Sequence, residues 1–327
     1  DLTNFDTSSV TDMSKMFSNV WMIDSLNLKN FNTKKVTDMY AMFQGCSGLV
    51  QLDLSNFVTT EVTDICSMFE SCDHLTSLNL GSFSTIKVED MSNTFLGLQK
   101  LQHLDISNFS TDNVNDMSGM FKYCGLLTSI DVSKFNTMQV ENMKEMFFGC
   151  TILEKLDLSN FHTTYVTDMS FMFAFSYYLK SLDLSNFNTE NVKTMSNMFS
   201  NCHDLQYVDV SSFDTSQVTD FSSMFNYCPS LKNIDLSNFD TNEATSIFGM
   251  FQYCSGLTSL DVSNFKTSKV TDMTYLFQQC TSLKKINVKN FDTRNVQRMF
   301  GMFGHLESIT ELDLSSFDTS IVEAFGS

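Results

Sequence analysis

The sequence predicts an α/β solenoid, a right-handed coil of about 12.5 repeats of 26 residues with a parallel sheet on one side and short helices on the other. A phenylalanine returns every 26 residues from Phe5 to Phe317 without insertion or deletion. Within each repeat, a short stretch with strand periodicity precedes a longer stretch with helical spacing. Because the period is unbroken, we expect a single domain over residues 1–327.

The strand is predicted from leucines that alternate with polar residues, as at Leu52 and Leu54. Side chains of a strand point alternately to its two faces, so these leucines share the buried face, and Asp53 and Ser55 share the solvated face. Parallel strands with crossover connections wind right-handed. A threonine such as Thr59 then recurs in all thirteen copies, and its side chain suits a turn that bonds nearby backbone groups.

The helix is predicted from apolar residues at offsets 0, 3, 6, 7 and 10, which is the spacing of one helix face. In one repeat these residues are Val62, Ile65, Met68, Phe69 and Cys72. Thr63 and Asp64 are suitable as an N-cap and a first-turn acid. We therefore expect one short helix and a closing turn in each repeat.

Some columns of the repeat are constant and others vary, which separates the core from the surface. The phenylalanine twelve residues after each anchor recurs from Phe17 to Phe303, whereas the position two residues after the threonine holds Ser9, Lys35 and Glu61 in three copies. Copies that diverged at exposed positions had the opportunity to diverge elsewhere. The constant columns are therefore the predicted core.

The strand segment at 49–56 resembles that of leucine-rich repeats. The fuller pattern at 182–189, followed by Val192, Met195, Met198, Phe199 and Cys202, resembles the BspA-like branch, which includes mycoplasma-type surface lipoproteins. The resemblance covers the whole chain. It implies a cell-surface or secreted protein that binds a protein or matrix partner, and it brings no shared catalytic residues.

Charge and hydropathy exclude several kinds of partner. A net charge of -18 with a pI near 4.5 disfavours nucleic acids and anionic membranes, because phosphate contacts need clustered Lys and Arg. No stretch approaches the roughly 20 apolar residues of a membrane span. Asp1 already lies inside a repeat, and the last repeat is partial, so we expect uncapped repeats that belong to a longer protein.

The cysteines and histidines do not form a metal site or a catalytic site. Cys66 stands alone, and the other eight cysteines share one column that suits a buried thiol. No C-x-x-C motif and no phosphate-binding glycine loop occurs. The five histidines never fall in one column. We therefore predict no metal, no cofactor and no enzymatic activity. The eight cysteines are Cys46, Cys72, Cys124, Cys150, Cys202, Cys228, Cys254 and Cys280.

An aspartate recurs on the solvated face of the predicted strand, and we call these residues the acidic strand column. Carboxylates about 4.8 Å apart repel each other by roughly 1 kcal/mol per pair in bulk water. Serine hydroxyls, raised pKa values and bound cations are alternative ways to offset this repulsion. The column is then a solubilising face, a cation ladder or a docking face for a basic partner. Its members are Asp1, Asp53, Asp105, Asp131, Asp157, Asp183, Asp209, Asp235, Asp261 and Asp313.

Two further groups are candidate partner sites. An aromatic cluster occupies columns that elsewhere hold small or polar residues, and it is either an interaction patch or packing over the repeat where Ser176 replaces cysteine. A basic end is either a solvated face or a surface that attracts an acidic molecule. The cluster is Tyr165, Phe171, Phe175, Tyr177 and Tyr178, with Tyr123 and Phe148 on preceding repeats. The basic end is Lys266, Lys269, Lys284, Lys285, Lys289, Arg294 and Arg298.

Together these features predict a non-enzymatic cell-surface or secreted protein that uses its repeat surface for binding or adhesion. The alternative is a structural protein whose solenoids stack into fibres or a surface lattice.

Overall fold

The computed structural model describes residues 2, 4–81, 83–323 and 326. The chain divides into two compact units, Asp1–His162 and Thr163–Ser327. Within each unit, successive repeats stack in register, and we call each repeat of the stack a rung. The single domain over residues 1–327 stays a prediction.

Within the described residues, short parallel strands form in four rungs only, so the continuous sheet that the leucine alternation predicts along one side is not found. In the first unit, β1 (Gln51–Asp53) pairs with β2 (Ser77–Asn79), and Leu52 lies opposite Leu78. In the second unit, β3 (Ser181–Asp183) pairs with β4 (Tyr207–Asp209). In β1 and β3 the central leucine is buried between exposed neighbours, which confirms the predicted two faces.

A second line of parallel bridges follows the turn after the strand, and we call it the bridge column. Each member pairs with the residue at the same position of the next rung in its unit. In the first unit the column is Asp12, Asp38, Asp64, Asp90, Asp116 and Asn142. In the second unit it is Asp168, Thr194, Asp220, Ser246, Asp272 and Arg298.

The predicted short helices are not found, because the described residues contain no helix. Backbone N–H groups in this segment alternate between two kinds of partner. The N–H of Met42 donates to the carbonyl of Met39 at 3.2 Å, whereas that of Phe43 donates to Met68 of the next rung at 2.9 Å. A helix instead directs its N–H groups to carbonyls four residues earlier. The segment is therefore a series of turns that hydrogen-bond to the neighbouring rung.

Two positions in each turn series adopt positive φ, four residues apart, as at Ala41 (51°) and Gly45 (70°). Most of these residues are the third residue of a turn closed by an N–H to the carbonyl three residues back, as from Cys46 to Phe43 at 3.0 Å. The apolar spacing nevertheless marks the buried face correctly. Val62 and Phe69, with the other residues of their pattern, are fully buried.

Stacked phenylalanines form the core of both units, as the constant columns predict. The ring centroids of Phe69 and Phe95 lie 5.7 Å apart in the first unit, and those of Phe199 and Phe225 lie 5.3 Å apart in the second. Near-parallel ring pairs of this kind contribute about 1 kcal/mol each beyond their burial. Phe5 differs from the rest of its column, because its side chain is 51% exposed.

The constant threonine joins adjacent rungs instead of closing a local turn. The Thr59 hydroxyl donates to the carbonyl of Ser84 at 2.8 Å and accepts the N–H of the same residue at 2.7 Å. Thr241 makes the same pair of bonds with Lys266, at 2.9 and 2.7 Å. Replacing this threonine by a residue without a hydroxyl would leave both backbone groups of the partner residue without these bonds. This explains why a hydroxyl is constant at this position.

The cysteines of the shared column are buried free thiols, as predicted. The Cys72 thiol donates to the carbonyl of Phe43 at 3.2 Å, and the Cys124 thiol donates to Phe95 at 3.1 Å. Burial raises the pKa of the Cys124 thiol to about 12. These thiols are therefore small core donors that stay protonated at neutral pH.

Candidate functional site

Carboxylates of the acidic strand column close a turn directly after their position, and among the described residues those of Asp53, Asp183 and Asp209 do so at the end of a strand. Oδ1 of Asp53 accepts the N–H of Ser55 at 3.1 Å, and Oδ1 of Asp261 accepts that of Ser263 at 3.0 Å. This Asx turn satisfies a backbone donor where the strand ends. The same bond, at 3.0 Å in each case, is made by Asp105, Asp131, Asp157, Asp183, Asp209 and Asp235. Asp1 lies outside the described residues.

These hydrogen bonds offset the repulsion between neighbouring carboxylates of the column. The hydroxyl and the backbone N–H of the following serine lower the pKa of the carboxyl, because both donate to the charged form. Raised pKa values are therefore not the offset for these residues. Within the described residues, no group of three or more acidic, histidine or cysteine side chains could hold a metal ion. The lowered pKa values belong to Asp53, Asp105, Asp131, Asp157, Asp209, Asp235 and Asp261.

Lysine side chains lie close to the carboxylates of the acidic strand column in the first unit. After the serine hydrogen bonds, the charge of Lys29 lowers the pKa of Asp53 further, and Lys134 does so for Asp105 and Asp131. Asn79 replaces aspartate on one rung, and its Nδ2 donates to Oδ1 of Asp53 at 2.9 Å. The acids of this face therefore have basic or amide neighbours.

The second unit carries four aspartates of the column on consecutive rungs, Asp183, Asp209, Asp235 and Asp261, which we call the acidic face. The positions two residues before and two residues after each of these aspartates share its solvated face, and they hold only serine, tyrosine and asparagine. The positions before them are Ser181, Tyr207, Asn233 and Ser259, and those after them are Ser185, Ser211, Ser237 and Ser263. Within its own four rungs the acidic face therefore has no basic residue in these columns, and the rungs on either side carry Lys155, Lys285 and Lys289 there.

Tyr207 is a candidate binding residue that the sequence reasoning missed. It is 55% exposed, and its hydroxyl donates to Oδ2 of Asp209 at 3.2 Å. The Asp209 charge raises the pKa of Tyr207. The two residues line a shallow hollow of about 470 Å³ together with Asn233, Ile234 and Asp235. The available signal was an aromatic residue in a column that otherwise holds Ser, Asn, Gln, His, Lys or Glu.

Part of the aromatic cluster belongs to a longer row of stacked rings in the second unit. The Tyr177 ring lies 6.2 Å from Phe175 and 4.7 Å from His203, and the row continues through Tyr227 to Tyr253. The last two centroids are 4.1 Å apart. The contacts of Tyr177 with His203 and of Tyr227 with Tyr253 are stacked and the other two are edge-on or tilted, so this row is accounted for by ring packing between and within rungs.

The other members of the cluster lie in different environments. Phe171 is half-buried at one of the positive-φ positions of the turn series. Tyr165 and Tyr178 are 58% and 51% exposed, so they remain candidates for partner contact. In the first unit, the Tyr123 ring meets Phe148 edge-on at 5.1 Å.

Acids pair with several cations of the basic end. Lys269 lies 2.6 Å from Glu243, Lys289 lies 3.1 Å from Asp313, and Arg298 lies 3.6 Å from Asp272. Arg294 pairs with Asp292 at 2.6 Å. Lys284 and Lys285 line a polar hollow of about 480 Å³ with Lys289, Glu311 and Asp313. Exposed pairs of this kind contribute little to stability, but they reduce the net positive charge of the basic end.

The bridge column of the first unit is a second acidic feature that the sequence reasoning read differently. Oδ1 of Asp64 accepts the N–H of Cys66 at 2.8 Å, so it closes an Asx turn and not a helix N-terminus. Burial raises the pKa of Asp64, and the charges of Asp38 and Asp90 raise it further. The signal was visible, because aspartate follows the anchor phenylalanine by seven residues in these rungs.

No helix among the described residues has the length and hydropathy that a membrane crossing requires.

The family described as "Mycoplasma protein of unknown function, DUF285" matches residues 1–104, 74–181, 174–261 and 245–327. No curated protein sequence matches the chain. A leucine-rich repeat protein from Bacteroides ovatus is 20% identical, with a TM-score of 0.50 over 89% of this chain and 78% of that one. A leucine-rich cell surface protein from Faecalibacterium prausnitzii is 17% identical, with a TM-score of 0.39 over 89% and 72%.

The repeat family and the structural similarity confirm the resemblance to BspA-like leucine-rich repeats. At this level of identity, the Bacteroides ovatus structure supports the leucine-rich-repeat-like fold alone.

Proposed function

The chain belongs to the DUF285 family, and from that premise we propose that it is a non-enzymatic binding or adhesion protein, located at the cell surface or secreted. It binds a protein or extracellular-matrix partner through the outward side chains of its rungs. Repeat scaffolds present extended surfaces of this kind, since each rung adds one row of exposed positions.

The observation that carries this proposal is that the constant columns have partners inside the fold. Phe69 stacks on its neighbours, Thr59 bonds the next rung, and Cys72 bonds a buried carbonyl. Asn56 donates to the carbonyl of Leu28 on the preceding rung at 3.1 Å. The fold therefore accounts for the constant residues. The positions that remain to specify a partner are exposed and vary from rung to rung.

The strongest candidates among these positions are the exposed tyrosines of the second unit. Tyr165, Tyr178 and Tyr207 each expose at least 51% of their surface. Tyrosine is enriched in protein interfaces, because its ring buries a large area and its hydroxyl forms hydrogen bonds. A net charge of -18 opposes polyanionic partners, so a protein partner fits better than a nucleic acid.

The test is binding of the purified chain to a panel of immobilised extracellular-matrix and host-cell surface proteins, measured by biolayer interferometry. We expect at least one protein to bind with a Kd of about 1 µM or tighter. Replacing Tyr165, Tyr178 and Tyr207 together by serine should weaken that binding about tenfold or more. Absence of binding to every panel member at about 10 µM would overturn the proposal.

A matched control variant tests whether any loss of binding is specific to the three tyrosines. Trp21, Ile86 and Met138 of the first unit are 63%, 55% and 54% exposed, so their replacement by serine likewise removes three exposed apolar side chains. The control variant should bind as the wild type does. An equal loss in both variants would mean that the tyrosines are not specific contacts.

Self-assembly is the second candidate, and one observation favours it. Met299, Met302, Phe303, Leu314 and Phe317 line an apolar hollow of about 530 Å³. An apolar surface of this kind would support stacking between copies. Light scattering against protein concentration tests it, and a strictly monomeric species at low salt would exclude it.

A further inference from the structure

We propose that the acidic face of the second unit docks an extended lysine- or arginine-rich segment of the partner protein, with Tyr207 holding one cationic side chain. This inference rests on the proposed function and names the chemistry of the partner.

The first argument is spacing. Asp183 and Asp209 are register partners in the parallel pair of β3 and β4. Asp235 and Asp261 occupy the same column of the next two rungs, which the bridge column pairs in parallel register. A spacing of about 4.8 Å per rung places the four carboxylates of the face along a line of roughly 14 Å. An extended peptide advances about 3.3 Å per residue, so its alternate side chains repeat about every 6.6 Å. Two or three cations of one short segment can therefore reach carboxylates of the acidic face.

The second argument is charge. Serine hydrogen bonds lower the pKa values of Asp209, Asp235 and Asp261, so these carboxylates are ionised at neutral pH. The serine N–H groups bond Oδ1 of Asp235 and Asp261, and both side chains are exposed. Lys180 and Lys232 lie three residues before Asp183 and Asp235, outside the strand positions. The face therefore presents a row of negative charge that complements a basic segment.

The third argument is the tyrosine beside the row. The Tyr207 hydroxyl is held on Oδ2 of Asp209, which fixes the ring at the edge of the hollow. An ammonium or guanidinium group against an aromatic ring is attracted by the ring quadrupole. Asp235 lines the same hollow, and a carboxylate can accept two parallel bonds from a guanidinium group. Ile234, which is half-buried, provides apolar surface for the methylene stem.

The experiment uses a fluorescent peptide in which arginine and threonine alternate, and a control peptide in which citrulline replaces arginine. Fluorescence anisotropy with the full chain should show binding of the arginine peptide alone. Its affinity should fall about tenfold between about 50 mM and about 300 mM salt, because exposed charges are screened. No binding of the arginine peptide by the wild-type chain would overturn the inference.

The diagnostic variant is Asp209→Asn with Asp235→Asn, because the asparagine amide oxygen still accepts the serine N–H and preserves the turn. We expect it to bind the arginine peptide about tenfold more weakly than the wild type. Tyr207→Ser should weaken binding several-fold. The matched control is Asp53→Asn with Asp105→Asn, the same change where Lys29 and Lys134 accompany the acids, and it should change affinity less than about twofold. An equal loss in both double variants would overturn the inference, since it would indicate only general charge attraction.

The outcome also separates the two proposals. A panel protein that binds the wild type and the Asp209→Asn, Asp235→Asn variant equally well would overturn the acidic face as the docking site and leave the proposed function standing. Sedimentation of the chain alone tests for a second copy as the occupant. Concentration-dependent dimers that disappear in this double variant would overturn the peptide proposal.

Discussion

The two units distribute their acidic residues differently between the bridge column and the acidic strand column. In the first unit, five consecutive positions of the bridge column are aspartate, from Asp12 to Asp116, and the acidic strand column has lysine or asparagine neighbours. In the second unit, Thr194 and Ser246 interrupt the bridge column, and the acidic face carries four aspartates on consecutive rungs.

This difference shows that an uncharged acceptor can replace aspartate at several of these positions, and Arg298 at the end of the bridge column has no acceptor at all. In the bridge column, the side-chain oxygens of Asn142, Thr194 and Ser246 each accept the N–H two residues later, at 3.0 to 3.3 Å. Asp64 and Asp220 make the same bond at 2.8 Å. Where aspartate is nevertheless repeated, as on the acidic face, its negative charge can therefore have a role other than closing the turn.

Removing a core phenylalanine should lower the free energy of unfolding equally in the two units, and this is the largest effect that we expect. Phe95→Ala and Phe225→Ala each remove a fully buried ring that stacks on two neighbours of its own column. We expect each change to lower the free energy of unfolding of its unit by about 3 to 5 kcal/mol. Hydrogen exchange with mass spectrometry measures each unit separately. Ile86→Ala at an exposed position is the control, and a twofold difference between the two core variants would show that the cores are not equivalent.

The sequence could predict the strands and the buried columns, because burial leaves a periodic record. Leu52 and Leu54 alternate with polar residues, and Phe69 never varies in its column. The helix could not be excluded, because a series of short turns buries residues at the same offsets. A helix and a series of turns differ in the direction of alternate backbone N–H groups, such as that of Phe43, which points to the next rung. The side-chain pattern of the sequence does not show this direction.

The candidate site was predictable only in part. The acidic strand column is visible in the sequence, yet its purpose within the fold depends on the Asp53 bond to Ser55. Positive φ offered no signal, because residues such as Phe171 and Tyr253 adopt it where glycine is expected. The row through Tyr177 and His203 was missed, because it passes at His203 from one column of the repeat to the column that holds Tyr227 and Tyr253.

The bridge columns should respond differently in the two units. Asp64→Asn keeps an acceptor for the Cys66 N–H and removes the repulsion from Asp38 and Asp90. We expect it to stabilise the first unit by about 1 kcal/mol at low salt. Asp220→Asn lies between Thr194 and Ser246, so it should change stability by less than about 0.5 kcal/mol. Denaturation at low salt and at about 1 M salt measures both, and equal effects of the two changes would contradict this account of the difference.

Asp64 should also make the stability difference between the Asp64→Asn variant and the wild type depend on pH. The folded-state pKa of Asp64 is raised, so its stabilising contribution is fully present below the unfolded-state pKa of about 3.9 and is lost as the pH rises through the folded value. Asp209 has a lowered pKa, so its contribution is present above about pH 4 and is lost on further acidification. The advantage of Asp64→Asn over the wild type should therefore be small at pH 4 and grow toward pH 7, to at most about 1 kcal/mol. Denaturation at several pH values measures it, and an advantage that is independent of pH would contradict the raised pKa.

The turn series should respond alike in both units and give the smallest effect. Ser67 and Ser223 occupy the same column and adopt φ of 56°, where a side chain costs about 1 kcal/mol or more relative to glycine. Glycine also loses more conformational freedom on folding, so Ser67→Gly and Ser223→Gly should each stabilise by only about 0.5 kcal/mol. Gly249, in the same column with φ of 54°, has room for a methyl group, because the nearest atom to an added Cβ lies 3.4 Å away. Gly249→Ala should therefore destabilise through backbone strain alone. If thermal unfolding shows Gly249→Ala to be neutral, the positive φ carries no cost, and the serine variants should then be neutral as well.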